Sequence, residues 1–469
     1  MSPDELGYMS LASVCELIER RQVAVREVVG AVLERIAEQN PSLNCYITVL
    51  QEEATRSAHE LDEEVQHGHW RGPLHGIPVS AKDNLQTAGI RTTAGSPTRA
   101  DWVPDRDADV VAALRRAGAV LVGKTNLQQF AYGASHPDFG EPRNPHNLDM
   151  TCGGSSSGSA AAVAAGLGYG SVGTDTGGSI RSPAAFCGVV GLKATYGLVS
   201  RNGAVPVSSN LDHVGPIART VRDCALLLAA IANPQSDGGA PDYLGALEAG
   251  VKGIRFGTMR PQARSLISAE VESAFEAVCA SLEREGAVRR EVALPDLAQA
   301  QSIMWIVSGV EAAEWHRQDF KARHDDYNPT MRARLEAAEF IAATDYVRAQ
   351  RVRQRFRIEV DALFGEVDAV LMPTVGVTPW RRGTQRLVVG AQEEDAPNVG
   401  SRLTALVNLT GHPAIAVPCQ RPVDALPISF QVVTAPWQEA MMFRVARAYE
   451  RINEPRHRPA AVAASEARS

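Results

Sequence analysis

Residues 169–193 read YGSVGTDTGGSIRSPAAFCGVVGLK, and this stretch combines a strand, a glycine-rich turn and a helix. Residues 169–174 predict a short strand between glycines. Ser182 and Pro183 predict a new helix, with Ser as its cap and Pro at its first position. Upstream, residues 76–81 predict a buried strand that ends at Lys82. This alternation of strands and helices indicates an α/β fold, a sheet with helices on its faces.

The composition is that of a soluble globular protein. Of the 469 residues, 45% are hydrophobic and 22% charged, which excludes a disordered chain, a collagen-like fibre and a coiled coil. The net charge of -7 argues against a nucleic-acid partner, because such proteins usually carry a basic face. No apolar run is long enough to predict a membrane span, and the N-terminus does not resemble a secretory signal. The 7 cysteines form no C-x-x-C pair, which favours reduced thiols in the cytoplasm and argues against a zinc site.

No stretch is polar enough to be an interdomain linker, so we expect a single domain over residues 1–469. Trp315, Tyr327 and Trp380 are candidate pocket aromatics, although packing in the core or on the surface is the default for such side chains. We expect five parts along the chain: N-terminal helices at 1–70, a motif-rich core at 71–230, a variable region forming much of the pocket at 231–400, a C-terminal part of the core at 401–452, and a frayed tail at 453–469.

Two motifs match known patterns in the wrong context. Residues 168–173 fit G-x-G-x-x-G, but they follow a predicted helix and enter a strand, whereas a dinucleotide site needs the opposite order. Residues 154–158 fit G-x-S-x-G, but residues 147–152 before them are no buried strand, as a nucleophile elbow requires. Neither motif predicts the function.

Three other segments fit together as a candidate active site. The first is Lys82 at the end of its apolar strand, the second is the serine loop GGSSSGS at 153–159, and the third is GTDTGGSIR at 173–181. Adjacent glycines before a serine let backbone N–H groups converge on an anionic centre. A serine there can act as a nucleophile only with a base beside it. Taken alone, each segment is more often a solvated lysine or a simple turn.

Together the three segments resemble the amidase signature family. The spacings between Lys82, Ser155 and Ser179 agree with that family, and weaker similarity reaches as far as PAIAVP at 413–418. The resemblance implies a central mixed β-sheet sandwiched between helices, and a Ser–cisSer–Lys triad. Ser179 would be the nucleophile, Ser155 the relay serine after a non-proline cis peptide bond, and Lys82 the base. Burial of Lys82 would favour its neutral form.

The resemblance also implies roles for residues around the triad. The carbonyl of Ala131 would receive the substrate amide N–H. The backbone N–H groups that would stabilise the oxyanion are those of Thr176, Gly177, Gly178 and Ser179. The residues that would support the loops without acting as acid or base are Ser156, Asp175 and Arg181.

The implied function is hydrolysis of a carbon–nitrogen amide bond through an acyl-enzyme. The substrate would be a small carboxamide, an anilide, or a carbamate- or urea-type compound, and no metal or organic cofactor is needed. The 11 histidines show no metal-site spacing. We expect a cytoplasmic enzyme whose partners are a small-molecule amide and water, with no nucleic acid and no membrane, and with a homodimer left open.

The alternative is the glutaminase subunit of a tRNA-dependent amidotransferase, whose role depends on partner chains. Such subunits carry an acidic residue, which holds the glutamine amino group, shortly before a late Asn-x-x-Gly segment. The matching position here is Ser401, beside Arg402, and this weakens a glutamine site. A third class, a non-catalytic binding protein with the same fold, is disfavoured by three intact triad positions.

Two residues beside the relay serine depart from the family pattern. Ser157 stands where the family usually has Gly, and Cys152 where it usually has Pro. Both bear on the geometry of the serine loop and on the polarity of the pocket. For Cys152, a role as a small packing residue is favoured over a reactive thiol.

Overall fold

The computed structural model describes residues 2–233, 242–260, 265–390, 392–422, 425–453 and 459. The helices are α1 (Pro3–Tyr8), α2 (Leu11–Glu19), α3 (Val25–Leu43), α4 (Gln51–Gln66), α5 (Asp109–Arg116), α6 (Ser157–Ala164), α7 (Arg181–Cys187), α8 (Val221–Ile231), α9 (Ala269–Arg284), α10 (Leu297–Ala322), α11 (Pro329–Glu339), α12 (Ala343–Leu363), α13 (Ala396–Ser401), α14 (Ala405–Thr410) and α15 (Glu439–Ile452). The strands are β1 (Tyr46–Val49), β2 (Pro78–Lys82), β3 (Val120–Thr125), β4 (Gly170–Asp175), β5 (Val190–Lys193), β6 (His213–Ala218), β7 (Arg255–Met259), β8 (Val288–Val292), β9 (Ala369–Pro373), β10 (Arg386–Val389), β11 (Gln392–Asp395), β12 (Ala414–Pro418) and β13 (Ser429–Val433).

Within the described residues, eleven of these strands form one mixed sheet in the order β1-β3-β2-β4-β6-β5-β12-β13-β9-β7-β8. The β3-β2-β4 and β9-β7-β8 neighbours are parallel, and the pairs between β4 and β9 are antiparallel. β10 and β11 form a separate hairpin. A mixed sheet flanked by helices confirms the predicted α/β fold class.

The centre of the sheet is buried because helices cover it. β2 begins at Pro78, and proline is tolerated as the first residue of a strand although it lacks a backbone N–H. Every residue of β2 is buried. The small residues of α6 allow this helix to pack closely against α7 and β4. No helix within the described ranges has both the length and the apolar character needed to cross a bilayer.

The start of α7 differs from the prediction. The helix begins at Arg181, and the Ser182 hydroxyl donates to the Gly400 carbonyl at 2.8 Å instead of capping. The Asp175 carboxylate accepts hydrogen bonds from the backbone N–H groups of Ile180 and Arg181, so these N–H groups at the start of α7 are satisfied without a serine cap. Apart from residues 453 and 459, the predicted C-terminal tail lies outside the described residues.

Candidate active site

The ends of two parallel strands bring the predicted residues together. Lys82 is the last residue of β2, Asp175 is the last residue of β4, and the two strands are paired. Carboxyl ends of parallel neighbours meet at one edge of a sheet, where the following loops build sites. The loop after β4 carries Ser179, and the loop before α6 carries Ser155.

Lys82 contacts the predicted relay serine directly. Its Nζ is buried and donates to Ser155 Oγ at 2.7 Å and to Thr174 Oγ1 at 2.8 Å. Thr174 Oγ1 also accepts from Asn84 Nδ2 at 3.1 Å. Thr174 and Asn84 were not among the predicted site residues. The signal for Thr174 was its place in the third segment, one residue before Asp175, and the signal for Asn84 was its place two residues after Lys82.

Burial changes the protonation of Lys82. Desolvation of the ammonium lowers the pKa of Lys82 to about 7, against the opposing charges of Asp175 and Asp212. Asp212 is tied to the neighbouring loop, since Thr176 Oγ1 donates to Asp212 Oδ1 at 2.6 Å. A lysine with a pKa near 7 is partly neutral at physiological pH and can accept a proton from a neighbouring hydroxyl.

The serine loop is held by close backbone contacts. The Gly154–Ser155 peptide bond is cis, and Gln128 N donates to the Ser155 carbonyl at 3.4 Å. A Cβ on Gly154 would lie 2.5 Å from Gln128 Nε2, so a larger residue at this position would require the Gln128 side chain to move. Ser156 N donates to the Ser179 carbonyl at 3.1 Å, which joins the loop of the relay serine to the loop of the nucleophile.

A buried ion pair organises the loop that carries Ser179. Arg181 Nε lies 3.1 Å from Asp175 Oδ2, and both side chains are buried. Asp175 also accepts from the Gly178 N–H at 2.7 Å and the Ile180 N–H at 3.2 Å. Burial alone would raise the pKa of Asp175, but the Arg181 charge and hydrogen bonds from Arg181 and Asn408 hold it well below its usual range. The pair therefore shapes the loop as an ionised support.

This geometry corrects one of the predicted oxyanion donors. The Gly178 N–H donates to Asp175 and is not free for a substrate oxygen. Gly178 has φ +126, and a Cβ there would lie 2.2 Å from Thr404 Oγ1, so the backbone itself requires glycine. The N–H groups of Thr176, Gly177 and Ser179 remain as candidate donors.

A cavity of about 410 Å³, here called the first cavity, opens beside these loops. Ser179 lines it and is half-buried, whereas Lys82 and Ser155 are buried and do not line it. Ala131 also lines it, in a turn where Phe130 and Ala131 have φ of 51° and 58°. Consecutive non-glycine residues in the left-handed region persist where the surroundings hold them, and they cluster at functional sites.

The three candidate aromatics divide between the first cavity and the core. Trp380 lines the first cavity and packs edge-on against Phe186, with ring centroids 5.1 Å apart. Trp315 and Tyr327 pack around Phe130 in an apolar cluster and do not line the first cavity.

The two departures from the family pattern have different surroundings. Ser157 lines the first cavity with 2% of its surface exposed, and within the described chain its hydroxyl has no hydrogen-bond partner. Cys152 is buried in the main core, and its Sγ donates to the Pro142 carbonyl at 3.5 Å.

The side chains of Ser401 and Arg402 have different surroundings. Ser401 lines the first cavity, and its hydroxyl accepts from Gln301 Nε2 at 2.8 Å. Arg402 forms an ion pair with Glu394 and does not line the first cavity. The first cavity therefore has a neutral hydroxyl at position 401 and no charge from its neighbour.

Arg334 on α11 is a cavity residue that was not predicted. Its guanidinium carbon lies 4.3 Å from the ring centroid of Trp305 and 5.3 Å from that of Tyr132. Among the described residues no carboxylate pairs with it, and desolvation lowers its pKa. The sequence offers no local signal, because Arg332 on the same helix is equally plausible and pairs with Asp325 at 3.2 Å instead.

Comparisons with known proteins agree on one family. The family model described as Amidase matches residues 27–443. One relative, a component of the glutamyl-tRNA(Gln) amidotransferase of Carboxydothermus hydrogenoformans, is 37% identical, over 96% of this chain and 98% of the relative. A solved structure from a vestigial protein complex bearing on the origins of an s-triazine catabolic enzyme superposes with a TM-score of 0.91 at 30% identity, covering 95% of this chain and 98% of that one. Native peptide amidase from Stenotrophomonas maltophilia superposes with a TM-score of 0.82 at 31% identity, covering 96% and 98%.

These relatives correct the expected partners. We expected a small-molecule amide and water as partners, with no nucleic acid and no membrane and with a homodimer left open. That expectation is wrong, since the relative from Carboxydothermus hydrogenoformans is by its name one subunit of an enzyme named for a glutamyl-tRNA. The prediction relied on the negative net charge, which says little about what a local part of the surface binds. With the family model spanning residues 27–443 and the solved structures sharing the whole fold, the chain belongs to the amidase family.

Proposed function

We propose that the chain hydrolyses a carbon–nitrogen amide bond, with Ser179 as nucleophile, Ser155 as proton relay and Lys82 as base. The observation that carries the proposal is the 2.7 Å hydrogen bond between Lys82 Nζ and Ser155 Oγ, in a buried setting that lowers the pKa of Lys82 to about 7. The hydrogen bond from Ser156 N to the Ser179 carbonyl holds the two serine loops against each other. A base, a relay and a cavity-lining serine in this arrangement suit acyl transfer.

In the proposed reaction, neutral Lys82 takes the Ser155 proton while Ser155 takes the Ser179 proton, and Ser179 Oγ attacks the amide carbon. Backbone N–H groups of Thr176, Gly177 and Ser179 stabilise the oxyanion, and losing one such donor typically costs about 3 kcal/mol. The intermediate expels the amine, which receives its proton back through Ser155. Water then attacks the acyl-enzyme by the same proton path, releases the acid and restores Ser179.

The substrate we favour is a carboxamide that also bears a carboxylate, as glutamine does. Arg334 lines the first cavity, lies over an aromatic ring and has no carboxylate partner among the described residues. A guanidinium in this position favours an anionic substrate group, because a desolvated charge is stable only with a counter-charge. The relatives named as components of glutamyl-tRNA(Gln) amidotransferases support a role as an amide-hydrolysing subunit that works with partner chains and tRNA.

A second candidate is a carboxamide, carbamate or urea that lacks a free amino group. The observation behind it is Ser401, which presents a hydroxyl bonded to Gln301 where an acidic residue would hold the glutamine ammonium. A desolvated ammonium without a partner costs roughly 3 kcal/mol, or about a hundredfold in kcat/KM. The same substrate without that charge avoids this penalty.

The test compares glutamine with N-acetylglutamine, which keeps the carboxylate and removes the ammonium. Ammonia release is measured for the chain alone, and again with the other subunits of the amidotransferase and glutamyl-tRNA. Preference for glutamine, with activity rising on addition of the subunits, supports the glutaminase role. Preference for N-acetylglutamine by the chain alone supports the second candidate. Failure to release ammonia from any carboxamide under either condition would overturn the proposal.

A further inference from the structure

A second cavity of about 570 Å³ adjoins the first. The two cavities share a wall that includes Tyr132, Trp305 and Arg334, together with Gln385 and Pro397. Cavities that share five lining residues can serve one elongated ligand. A substrate held at Ser179 that reaches Arg334 therefore stands at the border of the second cavity.

Within the described residues, the shared wall has one buried donor without an acceptor and one guanidinium without a carboxylate partner. Trp305 Nε1 is buried and has no hydrogen-bond partner among the described residues. Arg334 is half-buried and pairs with no carboxylate there. Unsatisfied buried donors are costly, so this wall suits an acceptor that arrives with the ligand.

Beyond the wall the lining is mostly apolar, with Asn398 and Asp395 as its polar members. α10 and α11 contribute Ile306, Gly309, Ala337 and Ala338, and Ile341 follows α11. Asp395 at the rim is exposed and lies 3.4 Å from Arg386, so its charge is already compensated. The second cavity therefore favours an uncharged apolar group over a cation.

We propose that the second cavity is a subsite for an apolar extension on the acyl half of the substrate, such as the acyl chain of an N-acylated amino-acid amide. The inference rests on the proposed function and specifies its substrate class. The reacting carboxamide lies at Ser179, the carboxylate at Arg334, and the acyl chain in the second cavity. An acylated amino group also carries no charge toward Ser401.

The experiment uses a series of N-acylglutamines from acetyl to hexanoyl, with release of side-chain ammonia as the readout. In the unmodified chain, kcat/KM should rise by up to about fourfold for each methylene that enters the second cavity. Ala337→Phe places a ring in the second cavity, so the hexanoyl-to-acetyl ratio of kcat/KM should fall by tenfold or more. Ala333→Phe is the matched control, because Ala333 is exposed on the same helix and lines neither cavity. Its ratio should equal that of the unmodified chain.

A binding measurement gives a readout that does not depend on turnover. Calorimetry of N-acylglutamates with the Ser179→Ala chain should show affinity rising with acyl length, and Ala337→Phe in that background should abolish the rise. Equal chain-length dependence with and without Ala337→Phe, in turnover and in binding, would overturn the inference while leaving the proposed function intact. Release of ammonia from glutamine but from no member of the series would overturn the inference alone, and release from neither would overturn both.

Discussion

The proposed chemistry depends on Lys82, whose buried amine has a pKa lowered to about 7. Lys82 has two hydroxyl neighbours, Ser155 and Thr174, and no carboxylate of the described residues contacts it directly. Hydroxyls tolerate either protonation state of an amine, whereas a touching carboxylate would keep the ammonium charged. The composition of its contacts therefore matters as much as its burial.

The first prediction concerns pH. Neutral Lys82 is the working form and its pKa is about 7, so kcat/KM should rise about tenfold per pH unit below 7 and level off above it. The same shift acts on stability. Between about 7 and its ordinary value of 10.5 only the unfolded chain keeps this proton, so rising pH favours the folded state. A pH–rate profile at constant ionic strength is the measurement, and a flat or falling profile between roughly pH 6 and 8 would count against Lys82 as base.

The second prediction concerns the triad. Ser179→Ala should abolish hydrolysis, and Ser155→Ala and Lys82→Ala should each lower kcat by on the order of a thousandfold or more. The double variant with both Ser155→Ala and Lys82→Ala should have a kcat little lower than that of the less active single variant, because the effects of groups that act as a unit are not additive. Steady-state kinetics checks this, with circular dichroism to establish that each variant is folded. Near-normal turnover by Ser179→Ala would rule out the assignment.

The third prediction concerns Ser157. Its buried hydroxyl has no partner in the described chain, so Ser157→Ala should raise the free energy of unfolding by about 1 kcal/mol. If a substrate supplies the missing partner, KM should rise in the same variant. Chemical denaturation and steady-state kinetics measure the two effects, and Ser159→Ala, which removes the hydroxyl bonded to Thr125 at 2.6 Å, is the opposite-sign control. A loss of stability in Ser157→Ala would show that this hydroxyl has a partner.

At the scale of elements, the loop between β4 and α7 is organised from within. The Asp175 carboxylate accepts N–H groups from the first turn of α7 and pairs with Arg181, which donates further to Gln431 Oε1 at 2.9 Å on β13. The Arg181 side chain thus links the start of α7 to the end of β4 and to β13. This explains why α7 starts without its predicted serine cap.

The fourth prediction tests that linkage. Asp175→Asn leaves Arg181 buried without its counter-charge, so the free energy of unfolding should fall by about 3–5 kcal/mol. Arg355→Met is the matched control, because it removes a half-exposed helical ion pair with Glu359 and should cost less than about 1 kcal/mol. Urea denaturation of both variants provides the comparison. Similar losses in the two would mean that the buried pair adds nothing beyond a surface contact.

At the scale of the whole molecule, local patterns account for the part of the fold that carries the chemistry. β2 ends at Lys82 as predicted, and β4 covers Gly170–Asp175 where residues 169–174 were expected. Both follow from glycine punctuation and apolar runs, which are short-range signals. Arg334 and the second cavity escaped prediction because they depend on which faces of α10 and α11 meet. The wrong oxyanion donor, Gly178, has a similar cause, since no motif shows that Asp175 folds back to its N–H.

The way the site is divided along the chain has a consequence for how such a protein diversifies. The three proposed reacting side chains lie between Lys82 and Ser179, at the end of β2, on the loop before α6 and on the loop after β4. The helices that come later in the chain contribute cavity-lining residues, namely Trp305 on α10, Arg334 on α11 and Ser401 on α13. Substitutions on those later helices are therefore free to accumulate without disturbing the reacting groups. Natural variants, or a laboratory library confined to α10, α11 and α13, can therefore change which amide substrate is accepted while the proposed reacting residues stay the same.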